Sequence, residues 1–218
     1  MPAEHAERRA RLLEHATDKG VTGVVLFDAD YIRYFSGFNF LATERPVAVS
    51  MDAGGALAAF VPEFEVERVR AETDFERIDW YPEYPGEVHP MRLLARTLAD
   101  MGVGGAIGAD QDGYPGILGY LGPALSEATG AQVTVLAGPI ESMLARKSEA
   151  ELALIRESGK WCAVAHRLLQ QYSAARSAAA ARGRTPSRTT SSSSPATCSS
   201  PRPARRSGAT TRSSSARW

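Results

Sequence analysis

The 218-residue chain has two cysteines, Cys162 and Cys198, and neither belongs to a Cys-x-x-Cys pair. That count excludes a disulfide framework and a thiolate zinc knuckle, so the protein is expected to work reduced. No apolar run approaches the roughly 18–20 residues of a membrane helix, and the opening MPAEHAERRARLL is charged and amphipathic, unlike a signal peptide. A cytoplasmic location with no membrane partner is the expectation. HExxH, a GxxxxGK[ST] phosphate loop and a GxSxG nucleophile elbow are all missing. Gly102, Gly104, Gly105 and Gly108 precede a strand instead of following one, which argues against a dinucleotide loop.

The scarcity of one charge sign is local. All 25 acidic residues lie at or before Glu157, whereas nine arginines lie after Tyr172, so residues 1–172 carry a net −9 and residues 173–218 a net +9. The formal neutrality is a cancellation between unlike segments.

From Ser173 onward there is no Leu, Ile, Val, Met, Phe, Asp, Glu, Asn, Gln, Lys or His. A segment of Ser, Arg, Ala, Thr and Pro offers little apolar surface to offset the entropy of ordering, so residues 173–218 are expected to be disordered. One reading is a basic arm for nucleic acid. The scattered arginines and the single aromatic residue, Trp218, argue against it. The other reading is a shifted frame. Read one base late, GC-rich codons for Asp, Glu, Val, Leu, Ala and Gly become codons for Thr, Arg, Ser, Pro and Ala, which is the vocabulary found here.

The first 172 residues alternate. Residues 4–19 have helical apolar spacing and stop at Gly20. GVVLF (23–27) is a short β-branched run suited to a strand buried on both faces. PVAVSM and ALAAFV flank Asp52, Ala53, Gly54 and Gly55 and predict a hairpin. Further strands are expected at 77–81, 106–110 and 132–136, with helices at 63–72, 90–101 and 115–128. The fold class is therefore α/β, a mixed sheet flanked by helices, followed by one long helix and a disordered tail. Ser148 and Glu151 fit a capping box and predict a helix from Ser148 to about Tyr172, apolar on one face.

Candidate ligands do not converge. His5 and His15 fall on the first helix, His89 at a helix start and His166 on the last helix, where surface or capping roles are expected. Glu63, Glu65 and Glu67 lie at i, i+2 and i+4 and read as a solvated face. Asp28, Asp30, Asp110 and Asp112 flank strands, as short capping carboxylates do.

Three stretches, in order, resemble one family. DADYIRYFSGF (28–38) is similar to the N-terminal "Ile-x-Tyr-Leu-Thr-Gly-Phe" motif of the creatinase, prolidase and Xaa-Pro aminopeptidase family, with Ile32, Tyr34, Gly37 and Phe38 matching. RPVAVSMDAGGALAAFVPEFEVERV (45–69) resembles the hairpin and "Val-Pro-x-x-Glu" segment that comes next. ARKSEAELALIRES (145–158) resembles the junction into the catalytic domain, with Lys147, Ser148, Glu151, Leu152, Ile155 and Arg156 matching; Arg146 adjoins Lys147 instead of preceding it by three residues.

The resemblance implies a creatinase-type, ribonuclease-H-like N-terminal domain at 1–140 and a linker with the first helix of a catalytic domain at 141–172. It also implies a role in gating substrates and dimerising an Xaa-Pro dipeptidase or aminopeptidase. In the family the chemistry belongs to a pita-bread domain holding two divalent metals such as manganese or cobalt, through Asp, His and Glu ligands. After Glu157 and His166 this chain offers none of them. No catalytic residue, metal ligand or cofactor of its own is therefore expected, and the isolated chain is expected to be inactive. Arg45 matches a position from which such domains reach a substrate carboxylate, with a strand-edge surface residue as the alternative. The expected partners are a second copy or the missing catalytic domain. A rival reading is a non-catalytic peptidase-like binding module.

Overall fold

The computed structural model describes residues 2–84 and 86–182. The β-branched run forms β1 (Gly23–Leu26), buried on both faces, because a strand in mid-sheet must be apolar throughout. Five more strands follow: β2 (Ala48–Asp52), β3 (Leu57–Pro62), β4 (Arg77–Tyr81), β5 (Ala106–Ala109) and β6 (Gln132–Val135). Their order across the sheet is β4-β3-β2-β1-β5-β6. β2 runs antiparallel to both β1 and β3, while β3–β4, β1–β5 and β5–β6 pair in parallel. A single reversed strand thus makes the sheet mixed.

The β2–β3 hairpin turns where expected. Gly55 takes φ +88°, and the Asp52 Oδ1 accepts from the Ala56 amide at 2.9 Å.

Helices cover both faces. One face carries α1 (Pro2–Thr17), α2 (Ala29–Ser36) and α3 (Val66–Glu72), packing Leu12, Ile32, Phe35, Phe38 and Val69 on Val24, Leu26 and Val61. The other carries α4 (Pro90–Asp100) and α5 (Leu125–Thr129), packing Met91, Leu94, Leu98 and Leu125 on Val25, Phe60 and Ile107.

The helix expected over 115–128 does not form. The segment contains only a 3₁₀ turn at Ile117–Gly119, followed by the five-residue α5. Gly116, Gly119 and Gly122 lower helix propensity, and Pro123 cannot donate to a preceding turn. A helix not expected, α6 (Ala137–Ala145), follows β6 and buries Ile140 and Met143.

The last helix, α7, spans Glu149–Arg182. Its start matches the capping box: the Ser148 hydroxyl accepts from the Glu151 amide at 3.1 Å, and the Glu151 carboxylate accepts from the Ser148 amide at 2.8 Å. Its end corrects the expectation of disorder from Ser173. Residues 173–182 are helical, since six of those ten residues are alanine, the strongest helix former. The remainder of the basic segment, 183–218, lies outside the described residues, as do the expectations placed on it. The chain divides into two units, residues 1–157 and 158–218. Among the described residues no helix is long and apolar enough to cross a membrane.

Candidate functional site

The strand directions decide where a site can form. β1, β3, β4, β5 and β6 all point the same way, so the loops that leave them gather at one edge of the sheet. β2 alone is reversed, so the segment entering it, 37–47, arrives at that same edge. Open α/β sheets bind ligands outside the carboxyl ends of their strands.

Arg45 is on this entering segment. The segment leaves α2 at Gly37, whose φ of +78° forms a left-handed cap with its amide donating to the Arg33 carbonyl. Phe38 and Phe40 then turn inward and stack at 5.5 Å. Two buried tyrosines from the far side of the sheet hold the stretch between Thr43 and Pro46. The Tyr114 hydroxyl donates to the Thr43 carbonyl and the Tyr81 hydroxyl to the Pro46 carbonyl, both at 2.9 Å. Burial pushes the Tyr114 phenol up to about 12 and raises that of Tyr81 as well, so both are donors at any ordinary pH.

Between those two anchors the Arg45 side chain is about one-third exposed. It lies 3.6 Å from the Glu44 carboxylate, with its guanidinium 5.5 Å from the ring centre of Phe64, just past β3. Phe64 is 66% exposed, and Leu41, Leu118 and Leu121, on neighbouring loops, are more exposed still. The Tyr84 hydroxyl donates to the Leu121 carbonyl at 3.1 Å and accepts from the Leu121 amide at 3.2 Å, joining the loops after β4 and β5. The arrangement is a partly exposed cation beside an exposed aromatic ring, on a segment restrained at both ends. It suits a small anionic ligand or a protein surface.

The other motif residues do not meet Arg45. They build a clamp among α1, α2 and the start of α7. Arg8, on α1, is buried; it donates to the Tyr34 carbonyl at 2.9 Å, pairs with Glu4 at 2.6 Å and Glu151 at 3.1 Å, and its guanidinium lies 4.0 Å from the Tyr34 ring centre. The Tyr34 hydroxyl donates to the Met143 carbonyl at 3.3 Å. A hydrogen bond to Ser148, opposed by desolvation and reinforced by Arg8, holds the Glu4 carboxyl below its usual range. Tyr34, Ser148 and Glu151 are thus joined through one arginine, which sequence reading did not single out. Its signal was present: Arg8 and Leu12 are four residues apart and share a helix face.

Ile32 and Phe38 are core residues. The Lys147 ammonium donates to the Leu144 carbonyl at the end of α6, and Arg156 is exposed on α7.

The carboxylates divide by role. Asp28 caps α2, accepting from the amides of Asp30 at 2.9 Å and Tyr31 at 3.1 Å, and Asp112 accepts from the Ser126 amide at 2.8 Å. Asp110 is different. It is buried at the end of β5 and accepts from the amides of Phe27, Asp28 and Gln111 at 2.7–3.1 Å, tying β5 to the turn after β1. Burial raises its pKa to about 6, against the opposing effect of those amides. Glu65 and Glu67 pair with Arg68 and Arg70 on the surface. His89 caps α4, its Nδ1 accepting from the Met91 amide at 3.2 Å. No three His, Cys, Asp or Glu side chains gather as a metal requires among the described residues. The donor set for two-metal hydrolysis is not among them.

The model of the creatinase/prolidase N-terminal domain matches residues 8–143, well over half of the chain. The chain belongs to that family. Solved structures share the fold of this creatinase/prolidase N-terminal domain. An Xaa-Pro dipeptidase from Bacillus anthracis superposes with a TM-score of 0.59 at 18% identity, over 77% of this chain and 43% of that one. A dipeptidase PepE from Mycobacterium ulcerans gives 0.53 at 22% identity, over 70% and 39%. A proline dipeptidase structure from Streptococcus pneumoniae gives 0.52 at 21% identity, over 64% of this chain and 98% of that one. The domain therefore spans less than half the length of the first two. No curated protein matches it.

Proposed function

We propose that this domain gates substrates for, and dimerises, an Xaa-Pro dipeptidase- or aminopeptidase-like protein whose metal-dependent hydrolysis is carried out by a separate catalytic domain. The observation that carries the proposal is the placement of Arg45. It is a cation on the segment entering β2, held at both ends by Tyr114 and Tyr81, beside an exposed aromatic ring. A guanidinium so restrained loses little freedom on pairing with a carboxylate, and its planar fork suits the C-terminus of a short peptide. The exposed Leu41, Phe64, Leu118 and Leu121 at the same edge support a second protein surface closing over it.

The test uses the isolated chain and a dipeptide. Gly-Pro is expected to shift the amide NMR signals of residues 43–46, and Gly-Pro amide, which lacks the carboxylate, is expected not to. Arg45→Ala is expected to abolish the response. Equal responses to acid and amide, or none to either at millimolar peptide, would overturn the role of Arg45. Hydrolysis of Ala-Pro by the purified chain with manganese or cobalt would overturn the assignment of chemistry to another domain.

The second reading, a non-catalytic peptidase-like binding module, is favoured by the exposed apolar side chains of α7. A pull-down that recovers one stoichiometric partner distinguishes it from the first.

A further inference from the structure

At the edge of the sheet where β3 and β4 begin, opposite to Arg45, a cavity of about 200 Å³ opens between α1, the end of α2 and the end of α3. Its walls carry two opposite charges that the protein leaves unpaired. Among the described residues, Arg9 is the one arginine from Arg8 to Arg77 that pairs with no carboxylate. Its Nη1 donates to the Phe35 carbonyl at 2.8 Å, which uses one donor of the guanidinium fork. Burial draws the Arg9 pKa down, and no carboxylate counters that effect. On the same cavity, Asp74 pairs with no cation among the described residues, whereas Glu72 is taken by Arg68 at 3.2 Å. The two hydroxyls of the lining are committed elsewhere: that of Ser36 donates to the Ile32 carbonyl at 2.6 Å and that of Thr73 to the Val69 carbonyl at 2.7 Å. Leu57 and Phe75, packed on the core, supply the apolar part. A partly desolvated guanidinium without a counter-ion carries a cost that a bound anion offsets.

We propose that this cavity binds a free α-amino acid with an apolar side chain, its carboxylate on Arg9, its ammonium on Asp74 and its side chain against Leu57 and Phe75. A simple anion such as phosphate would satisfy Arg9 but meet the carboxylates of Glu72 and Asp74 on the same wall. A divalent cation would meet Arg9 and find too few ligands. A zwitterion answers both charges at once. The volume lies below the roughly 300 Å³ at which pockets begin to take drug-sized ligands, which suits one residue and not a peptide. His5 closes the wall beside Arg9. A Cβ on Gly37 would stand 2.8 Å from its ring, so only glycine lets the imidazole sit there. Burial, Arg8 and Arg9 lower the His5 pKa, so at pH 7 the imidazole is neutral and Arg9 is the cation that faces the ligand. The cavity shares no residue with the Arg45 rim, so the two readings stand or fall separately.

Titration of the full chain with L-leucine in the millimolar range is expected to shift the amide NMR signals of residues 36–37 and 73–75 and to leave those of 43–46 in place. L-Leucinamide, which lacks the carboxylate, and 4-methylpentanoate, which lacks the ammonium, are each expected to bind roughly tenfold more weakly or worse, because each forfeits a charge-assisted hydrogen bond. Arg9→Gln is expected to weaken L-leucine and 4-methylpentanoate alike. Asp74→Asn, a surface change that the fold tolerates, is expected to weaken L-leucine by a similar factor and to leave 4-methylpentanoate unchanged, so the test holds even where Arg9→Gln disturbs the Phe35 carbonyl it supports. Arg45→Ala is expected to leave all three ligands as they are. No shift at tens of millimolar L-leucine, equal binding of the three ligands, or an unchanged affinity for L-leucine in Asp74→Asn would each overturn the proposal.

Discussion

The Arg8 guanidinium lies 3.1 Å from the Glu151 carboxylate, so a residue in the second turn of the first helix holds the first turn of the last one. The same guanidinium covers the Tyr34 ring and donates to the Tyr34 carbonyl. Two motifs more than a hundred residues apart are therefore parts of a single contact.

Arg8→Ala leaves Glu151 without its cation and the Tyr34 carbonyl without a donor. The expected loss is about 2–4 kcal/mol in urea unfolding, because one partner of a mostly buried pair is removed. Arg8→Lys restores less than half of it, since an ammonium cannot reach Glu4, Glu151 and the carbonyl together.

Asp110 sets a pH dependence. Its folded pKa of about 6 lies above the ordinary 3.8, so the folded state holds the proton more tightly. Its stabilising contribution is full below about pH 3.8 and is lost as pH rises through 6, a swing of up to about 3 kcal/mol. Asp110→Asn is expected to flatten the slope of stability against pH between 4 and 6. An unchanged slope would assign it to other groups. At pH 7 the same variant loses about 1–3 kcal/mol, because its amide nitrogen faces backbone donors.

Gly37→Ala introduces a Cβ 2.8 Å from the His5 ring at φ +78°. The left-handed conformation alone costs about 1 kcal/mol for alanine, and His5 must shift in addition. Thermal unfolding is expected to show a loss of at least that size, reduced when His5→Ala clears the space.

The composition of the terminal segment makes a prediction at the level of the gene. If the basic segment comes from a shifted frame, sequencing through codons 165–220 and translating the other frames yields acidic, apolar sequence with paired Asp, then His, then Glu. If no frame yields it, the basic segment is the product of its own gene.

Much of the fold was legible in the sequence because its signals are local. GVVLF, the Asp52–Gly55 turn and the Ser148–Glu151 box each specify a conformation within a few residues. The reading of 115–128 as a helix failed because three glycines and Pro123 outweigh the apolar spacing of Ile117, Leu121 and Leu125. The helix α6 was missed because Gly138 and Pro139 stand in its first turn, where proline is tolerated and propensity misleads. Helix over 173–182 was not expected because alanine carries no apolar bulk yet extends a helix already begun. At the candidate site, Arg45 was singled out by the family resemblance alone. Its two tyrosine anchors, Tyr81 and Tyr114, could not be, since strand order brings together residues 35 and 71 positions apart.

The position of β1 also constrains how the chain is made. Its antiparallel partner β2 arrives within about 25 residues, but its parallel partner β5 arrives only after about 80. During synthesis the β1–β2–β3 meander can close early while the other edge of β1, apolar on both faces, stays open until Ala106–Ala109 emerge. That interval is when a nascent chain is most exposed to edge-to-edge association. Ribosome stalling before residue 106 should therefore recruit chaperones more strongly than stalling after it.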